Sequence, residues 1–245
     1  VATSPGGSRS CIRSRTVRLF ALLLVWYLSS LLTSLSTKEI LRVFPYPISL
    51  AAVQQAIAAV MGWLSLHSSR TRLELLRDSQ LHLLCLPVAA VMVVALASYR
   101  WALMMGSVSF VHTVKTLGPI FTIFFSRMLL EERLPASRYA SVVPVTLGVA
   151  LTSITEAEFT GVGFAAILLS TAAQALQSVT AKRLMRERAV AKGELFAMAA
   201  LHAFAMLLPL SILLDAWRIQ RARAPHHRAH HRAHHRAHHR TRPTP

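Results

Sequence analysis

Seven apolar runs divide most of this chain, each near the roughly 20 residues that an α-helix needs to cross about 30 Å of hydrocarbon at 1.5 Å per residue. They run from Val17 to Leu35, Ile48 to Leu66, Leu81 to Leu103, Val108 to Leu130, Tyr139 to Ile154, Val162 to Thr180 and Leu195 to Leu214. The fifth is short and the third carries Pro87. In lipid no water satisfies the backbone, so a spanning segment is a helix or part of a closed barrel. Nothing here alternates with period two, which excludes the barrel. Composition excludes a soluble domain: 53% of residues are hydrophobic and 15% charged, where soluble chains carry about 25% charged residues. The expected fold class is all-α, a polytopic transmembrane helix bundle.

Charge placement predicts orientation. Arg9, Arg13, Arg15 and Arg18 precede the first run, and Arg70, Arg72 and Arg77 fall in the second connection. Arg127, Arg133 and Arg138 mark the fourth, and Lys182, Arg183, Arg186, Arg188 and Lys192 the sixth. Lys38, Arg42 and Arg100 stand on the other side, so the positive-inside rule predicts a cytosolic N-terminus. The expected organisation is a basic N-terminal arm over 1–16, a transmembrane domain over 17–217 and a disordered Arg/His-rich tail over 218–245. After seven spans that tail should lie across the membrane, yet Arg218, Arg221, Arg223 and further arginines occupy it. Either a span is missing or the tail is foreign to the fold. Its repeat, "HHRAHHRAHHRAHHRT", reads as a biased disordered tract. The other reading is four-residue spacing on a helix face, which would suit zinc, nickel or copper. The tract supplies much of the net charge of +17, so that charge gives no case for nucleic acid, and no aromatic residue is interleaved for base stacking. Cys11 and Cys85 offer no disulfide framework and no CxxC metal site. The chain starts at Val1, which reads as a fragment, and its first run is long enough for a true span rather than a cleavable signal peptide.

The fourth run, "SVSFVHTVKTLGPIFTIFFSRMLL", carries Lys115 about seven residues in, roughly 10 Å deep at 1.5 Å per residue. A cation there costs about 2.5 kcal/mol or more and normally faces a cavity or a partner. Snorkelling to the interface is the structural alternative. Ser109, His112, Thr113 and Thr116 recur at spacings of three and four and form a polar stripe with Lys115 on its edge. Gly118 and Pro119 follow, and proline frees a carbonyl one turn back. Broken helices of this kind build the substrate sites of transporters. His112 alone reads as an ordinary packed histidine.

These residues resemble a known family. The fourth-run motif is similar to the fourth-helix signature of the triose-phosphate and nucleotide-sugar translocators of the drug/metabolite transporter superfamily. "WYLSSLLTSLSTKEILRVFPYPISL" resembles that family's first helix, "VVPVTLGVALTSITEAEFTGVGF" its fifth, and "QSVTAKRLM" the end of its sixth. The likeness covers Arg18 to about Trp217 and is nearest to the E branch of solute carrier family 35. It implies ten helices in two inverted five-helix halves, both termini cytosolic, with about seven of the ten present here and the chain ending after the seventh. "STKEIL" closing the first run and "TAKRLM" closing the sixth are a trace of the repeat.

The resemblance further implies a secondary-active antiporter of an organic phosphate, such as a sugar phosphate or nucleotide sugar, with Lys115 binding the anionic group. His112 and Thr113 would be adjacent hydrogen-bonding groups. Lys38 would line the opposite mouth or act as an interfacial anchor, and Gln174 and Gln177 read as interhelical contacts, with Gln177 also a candidate ligand. "ALASYRWALMM", with Tyr99, Arg100 and Trp101, departs from the small polar residues of the plastid members, and Gly118 stands where they have glutamate. Both changes count against triose-phosphate specificity. The expected partners are a small anionic phosphorylated solute and the bilayer, with self-association into homo-oligomers an open option and no nucleic acid. No cofactor and no metal are expected, and the expected location is the Golgi or another endomembrane. The alternative is a truncated, transport-incompetent membrane chain that acts by association with partner proteins. A seven-span receptor conflicts with the cytosolic N-terminus. An enzyme lacks support: no GxSxG, HExxH or P-loop string occurs, and Glu131, Glu132, Glu156 and Glu158 all flank apolar runs.

Overall fold

The computed structural model describes residues 6–66, 74–132, 135–156 and 159–215. Among them are eight α-helices and a single helical turn at residues 74–77, with no strand. The Arg/His tract, Arg70, Arg72, Arg133 and Glu158 lie outside the described residues. The chain divides into two units, Val1–Pro45 and Tyr46–Pro245.

The first unit is the helix α1, Gly6–Val43, 38 residues long. Its Arg15–Val43 part is long and apolar enough to cross a membrane. The helix is continuous through residues 6–16 of the expected basic arm, because nothing between Gly7 and Val43 breaks it: the next prolines are Pro45 and Pro47.

The second unit holds α2 (Pro47–Leu64), α3 (Ser79–Met105), α4 (Val108–Lys115), α5 (Gly118–Leu130), α6 (Ala136–Thr155), α7 (Gly161–Arg188) and α8 (Lys192–Asp215). With α4 and α5 taken together over Val108–Leu130, five of its segments are long and apolar enough to span, and α1 makes six. The exception is the fifth expected span. Helix α6 has 20 residues, about 30 Å of rise, but Ser141, Thr146, Thr152, Ser153 and Thr155 dilute its apolar content. Each hydroxyl donates to a carbonyl of the preceding turn at 2.8 to 3.2 Å. None of these five hydroxyls is left without an acceptor. Along one side Val143, Leu147 and Leu151 are exposed, as residues facing hydrocarbon would be.

Helix α3 is central. It packs along α7 for most of its length and also meets α2 and α4, and α7 in turn meets α4 and α5. Leu81, Cys85 and Val88 of α3 form a buried cluster with Leu184 of α7 and Leu195, Met198 and Ala199 of α8. Ile48, Ala51 and Ala52 of α2 pack with Leu207 of α8 in a second. Helices approach closely where side chains are small. A Cβ on Gly62 would lie 3.0 Å from the Ala197 Cα, so the glycine admits α8 against α2. A Cβ on Gly163 would lie 2.6 Å from the Thr160 hydroxyl and 3.1 Å from the Met105 Cβ. That close approach lets Thr160 both accept from the Gly163 amide at 3.2 Å and donate to the Met105 carbonyl at 3.3 Å, which fastens the start of α7 to the end of α3.

Candidate anion-binding site

Helix α4 begins with a cap. The Ser107 hydroxyl accepts from the Phe110 amide at 3.1 Å and donates to the Glu156 carboxylate at 2.8 Å. Phe110, buried, packs on Phe159 and Phe164 with ring centroids 5.8 and 6.2 Å away. These contacts hold α4 against the ends of α6 and α7. Val111 and Val114 are fully buried on the same helix. The polar residues His112, Thr113 and Lys115 are half-buried.

The helix stops at Lys115. The amides of Thr116 and Leu117 bond to the carbonyls of Thr113 and Val114 at 3.1 and 3.0 Å, a tightened turn of i to i+3 type. Helix α5 restarts at Gly118 with Pro119 in its first turn. Pro119 has no N–H for the Lys115 carbonyl four residues earlier, so the break leaves that carbonyl without its helical partner. The expected interruption is therefore present, and it is a tight turn rather than an unwound stretch.

Lys115 does not snorkel along its own helix. Its Nζ lies 4.3 Å from the centroid of the Tyr99 ring on α3. The Arg100 Cζ lies 5.2 Å from the same centroid. A cation over an aromatic face is favoured by about 0.5 to 2 kcal/mol, more when desolvated. Arg100 is 6% exposed. One of its terminal nitrogens donates to the Gln54 side-chain oxygen on α2, while its Nε is buried with no hydrogen-bond partner among the described residues. Neither Lys115 nor Arg100 has a carboxylate partner among the described residues. Two cations thus share one aromatic ring inside apolar helices without a counter-charge. Isolated charges in such surroundings cost several kcal/mol each, and an anion is the group that removes the cost.

The other expected residues fall as follows. The Thr113 hydroxyl donates to the Ser109 carbonyl at 3.0 Å, and that of Thr116 to the Thr113 carbonyl at 2.6 Å. Their protons are committed to backbone, so the polar stripe offers an anion fewer donors than its composition suggests. His112 is one turn from Thr116 on the helix that carries Lys115. Gln177 is half-buried and Gln174 exposed on α7, and among the described residues no hydrogen bond ties Gln177 to the Lys115 group. Lys38 lies near the C-terminal end of α1, in the other unit. Sequence reasoning treated Arg100 only as a topology charge and a departure from the family pattern. Its pairing with Lys115 through Tyr99 depends on how α3 meets α4, and no local pattern signals it.

A cavity of about 600 Å³ opens elsewhere on α3, lined by Ala97, Ser98 and Trp101 together with Val162, Leu169 and Asp215. Its lining is largely apolar, carries a buried carboxylate already engaged by Ser49, and includes no cation. A lone carboxylate there suits an anion poorly, and the two cations make the Lys115 and Arg100 group the candidate.

The chain is similar to known proteins over most of its length. The chain is 31% identical over 211 residues to phosphoenolpyruvate/phosphate translocator 1, chloroplastic, of Oryza sativa subsp. japonica, covering 84% of this chain and 51% of that protein. It is 31% identical over 202 residues to phosphoenolpyruvate/phosphate translocator 2, chloroplastic, of Arabidopsis thaliana, covering 80% and 51%. The triose phosphate/phosphate translocator, chloroplastic, of Flaveria pringlei is 27% identical over 194 residues, covering 78% and 46%. The chain spans about half the length of these relatives. The pattern of the Triose-phosphate Transporter family matches residues 17–237, and the chain belongs to that family.

Proposed function

We propose that this protein moves a phosphorylated organic anion across a membrane by exchange, with Lys115 and Arg100 holding the anionic group. The observation that carries the reading is the pair of cations on the Tyr99 ring with no carboxylate partner among the described residues. The family supports the transport class, and the names of the relatives pair an organic phosphate with phosphate. Lys115 supplies a compact ammonium with three donors, and Arg100 a planar fork, of which Nε is unused. Charge-assisted bonds to an anion are the stronger kind, and low dielectric strengthens them further. The neighbouring break at Lys115 to Gly118 gives α4 and α5 a joint about which one can move against the other.

The test is exchange in liposomes preloaded with inorganic phosphate, with labelled sugar phosphates, phosphoenolpyruvate and nucleotide sugars offered outside. Lys115→Ala should lower uptake by about 10- to 100-fold, the worth of one or two charge-assisted bonds. Uptake unchanged in that variant would refute the assignment of the site. The same assay separates small organic phosphates, which the names of the relatives favour, from nucleotide sugars. A second reading rests on the span of about half the relatives' length: these helices exchange solute only together with further helices. Uptake that appears only on co-reconstitution would identify it. A cytosolic N-terminus and a Golgi or other endomembrane location follow from the charge pattern and the likeness to the solute carrier family 35 E branch, while the named relatives are chloroplast proteins. Imaging a tagged chain decides the compartment.

A further inference from the structure

A third helix reaches the Lys115 and Arg100 pair through a neutral side chain. Gln54 stands seven residues after Pro47, roughly 10 Å along α2. Its side-chain oxygen accepts from a terminal nitrogen of Arg100 on α3. Arginine carries five donors and no acceptor, so the amide must present its oxygen to it and not its nitrogen. The neighbouring amide is used differently: the Gln55 Nε2 lies 4.0 Å from the Met92 Sδ, about two turns before Arg100 on α3. Helix α2 has no ionisable residue between Pro47 and Leu64. What it brings to Arg100 is therefore a dipole without a net charge.

That distinction decides what Arg100 can do. A guanidinium is planar, so a terminal nitrogen held at Gln54 and a Cζ held 5.2 Å from the Tyr99 ring centroid together set the direction of the remaining N–H groups. Arg100 is 6% exposed, and its Nε has no hydrogen-bond partner among the described residues. A carboxylate of the same shape on α2 would hold the guanidinium equally well and would also cancel its charge. The amide holds it and leaves the charge uncancelled, at the cost that an unpaired buried cation carries.

We propose that Gln54 is a positioning residue of the anion site, whose neutral oxygen aims Arg100 while leaving its positive charge for the solute. This rests on the anion-binding reading above and adds to it a residue that touches no solute itself. Glutamine and glutamate have the same size and shape, so Gln54→Glu changes the charge beside Arg100 and little else.

The test is the thermal unfolding midpoint of the full chain in detergent against the concentration of inorganic phosphate, with ionic strength held constant by chloride. A ligand that binds the folded state raises the midpoint as its concentration rises, and the native chain should show that rise. Gln54→Glu should change two things in opposite senses. Its midpoint without phosphate should be higher, since the buried cation gains a counter-charge. It should also need about 10-fold more phosphate for the same rise, the worth of one charge-assisted bond. Gln54→Leu removes the acceptor at similar size, so its midpoint without phosphate should be lower and its phosphate binding weaker. Weaker binding in both variants, with opposite effects on the phosphate-free protein, is a pattern that lost packing alone does not produce. A native phosphate dependence in Gln54→Glu overturns the proposal, and if that variant does not fold, a native dependence in Gln54→Leu does so. Lys115→Ala in the same measurement separates the two possible failures. If it loses the phosphate response while the Gln54 variants keep theirs, the anion site stands and the role of Gln54 falls. If the native chain shows no response, or Lys115→Ala keeps it in full, both fall together.

Discussion

At the end of α5, Glu132 accepts hydrogen bonds from Lys182 of α7 at 2.8 and 3.0 Å, with Arg186 at 3.8 Å. The hydrogen bond from Lys182 holds the Glu132 carboxyl below the ordinary glutamate range, helped by the nearby cations. A lowered value means that the folded state stabilises the ionised form. The contribution is complete above the ordinary glutamate range and is lost as pH falls through that range and on through the lower titration of Glu132 itself. Lys182 is well exposed and Glu132 partly so, so the effect is small. Lys182→Ala should lower the unfolding midpoint slightly at neutral pH, and the difference from the native chain should vanish in acid. Tryptophan fluorescence on heating measures it, and a difference that persists in acid would mean that Lys182 acts through packing instead. Residues of this kind show what the sequence could convey. Lys115 stood out because a cation in an apolar run is anomalous wherever it occurs. Arg100 did not, since a cation near the end of a run is common, and its meaning comes from a ring on α3 that also meets α4.

At the scale of elements, the ends carry most of the information. The break between α4 and α5 was legible because glycine and proline act on their own backbone. The left-handed ends of two other helices were not. Glu131, at φ 55°, ends α5, and Ala189, at φ 53°, ends α7. Glycine is the usual residue in this conformation, and alanine pays a steric penalty there. Ala189→Gly should raise stability by about 0.5 to 1 kcal/mol, read as a higher unfolding midpoint. A lower midpoint would show that the greater freedom of glycine in the unfolded chain outweighs the relieved strain. The fifth expected span is the reverse case: α6 is a helix of 20 residues but falls short of the apolar content of the six spanning segments. Several of the hydroxyl residues that lower that content close bonds to their own helix.

Within the second unit, a polar contact between described residues joins the start of α2 to the end of α8. Helix α2 opens with Pro47, and the side chain of its cap residue Tyr46 makes no capping bond to the helix. The missing acceptor comes from Asp215, the last described residue of α8, whose carboxylate accepts from the Ser49 amide at 2.9 Å and from the Ser49 hydroxyl. Asp215 is 4% exposed. Removing a helix cap costs about 0.5 to 2 kcal/mol. Asp215→Ala should destabilise the protein by about that amount, and Ser49→Ala combined with it should add little, since both variants break one interaction. Full additivity in chemical unfolding would refute the shared contact. No periodicity in the sequence could reveal a pair 166 residues apart, although the apolar runs that bring the pair together were plain. A ribosome delivers α2 long before α8, and during that interval the first turn of α2 has donors that no residue already synthesised is placed to satisfy. The carboxylate that closes them arrives 166 residues later, so nascent chains stalled before residue 215 should remain open to proteases and chaperones at the mouth of α2.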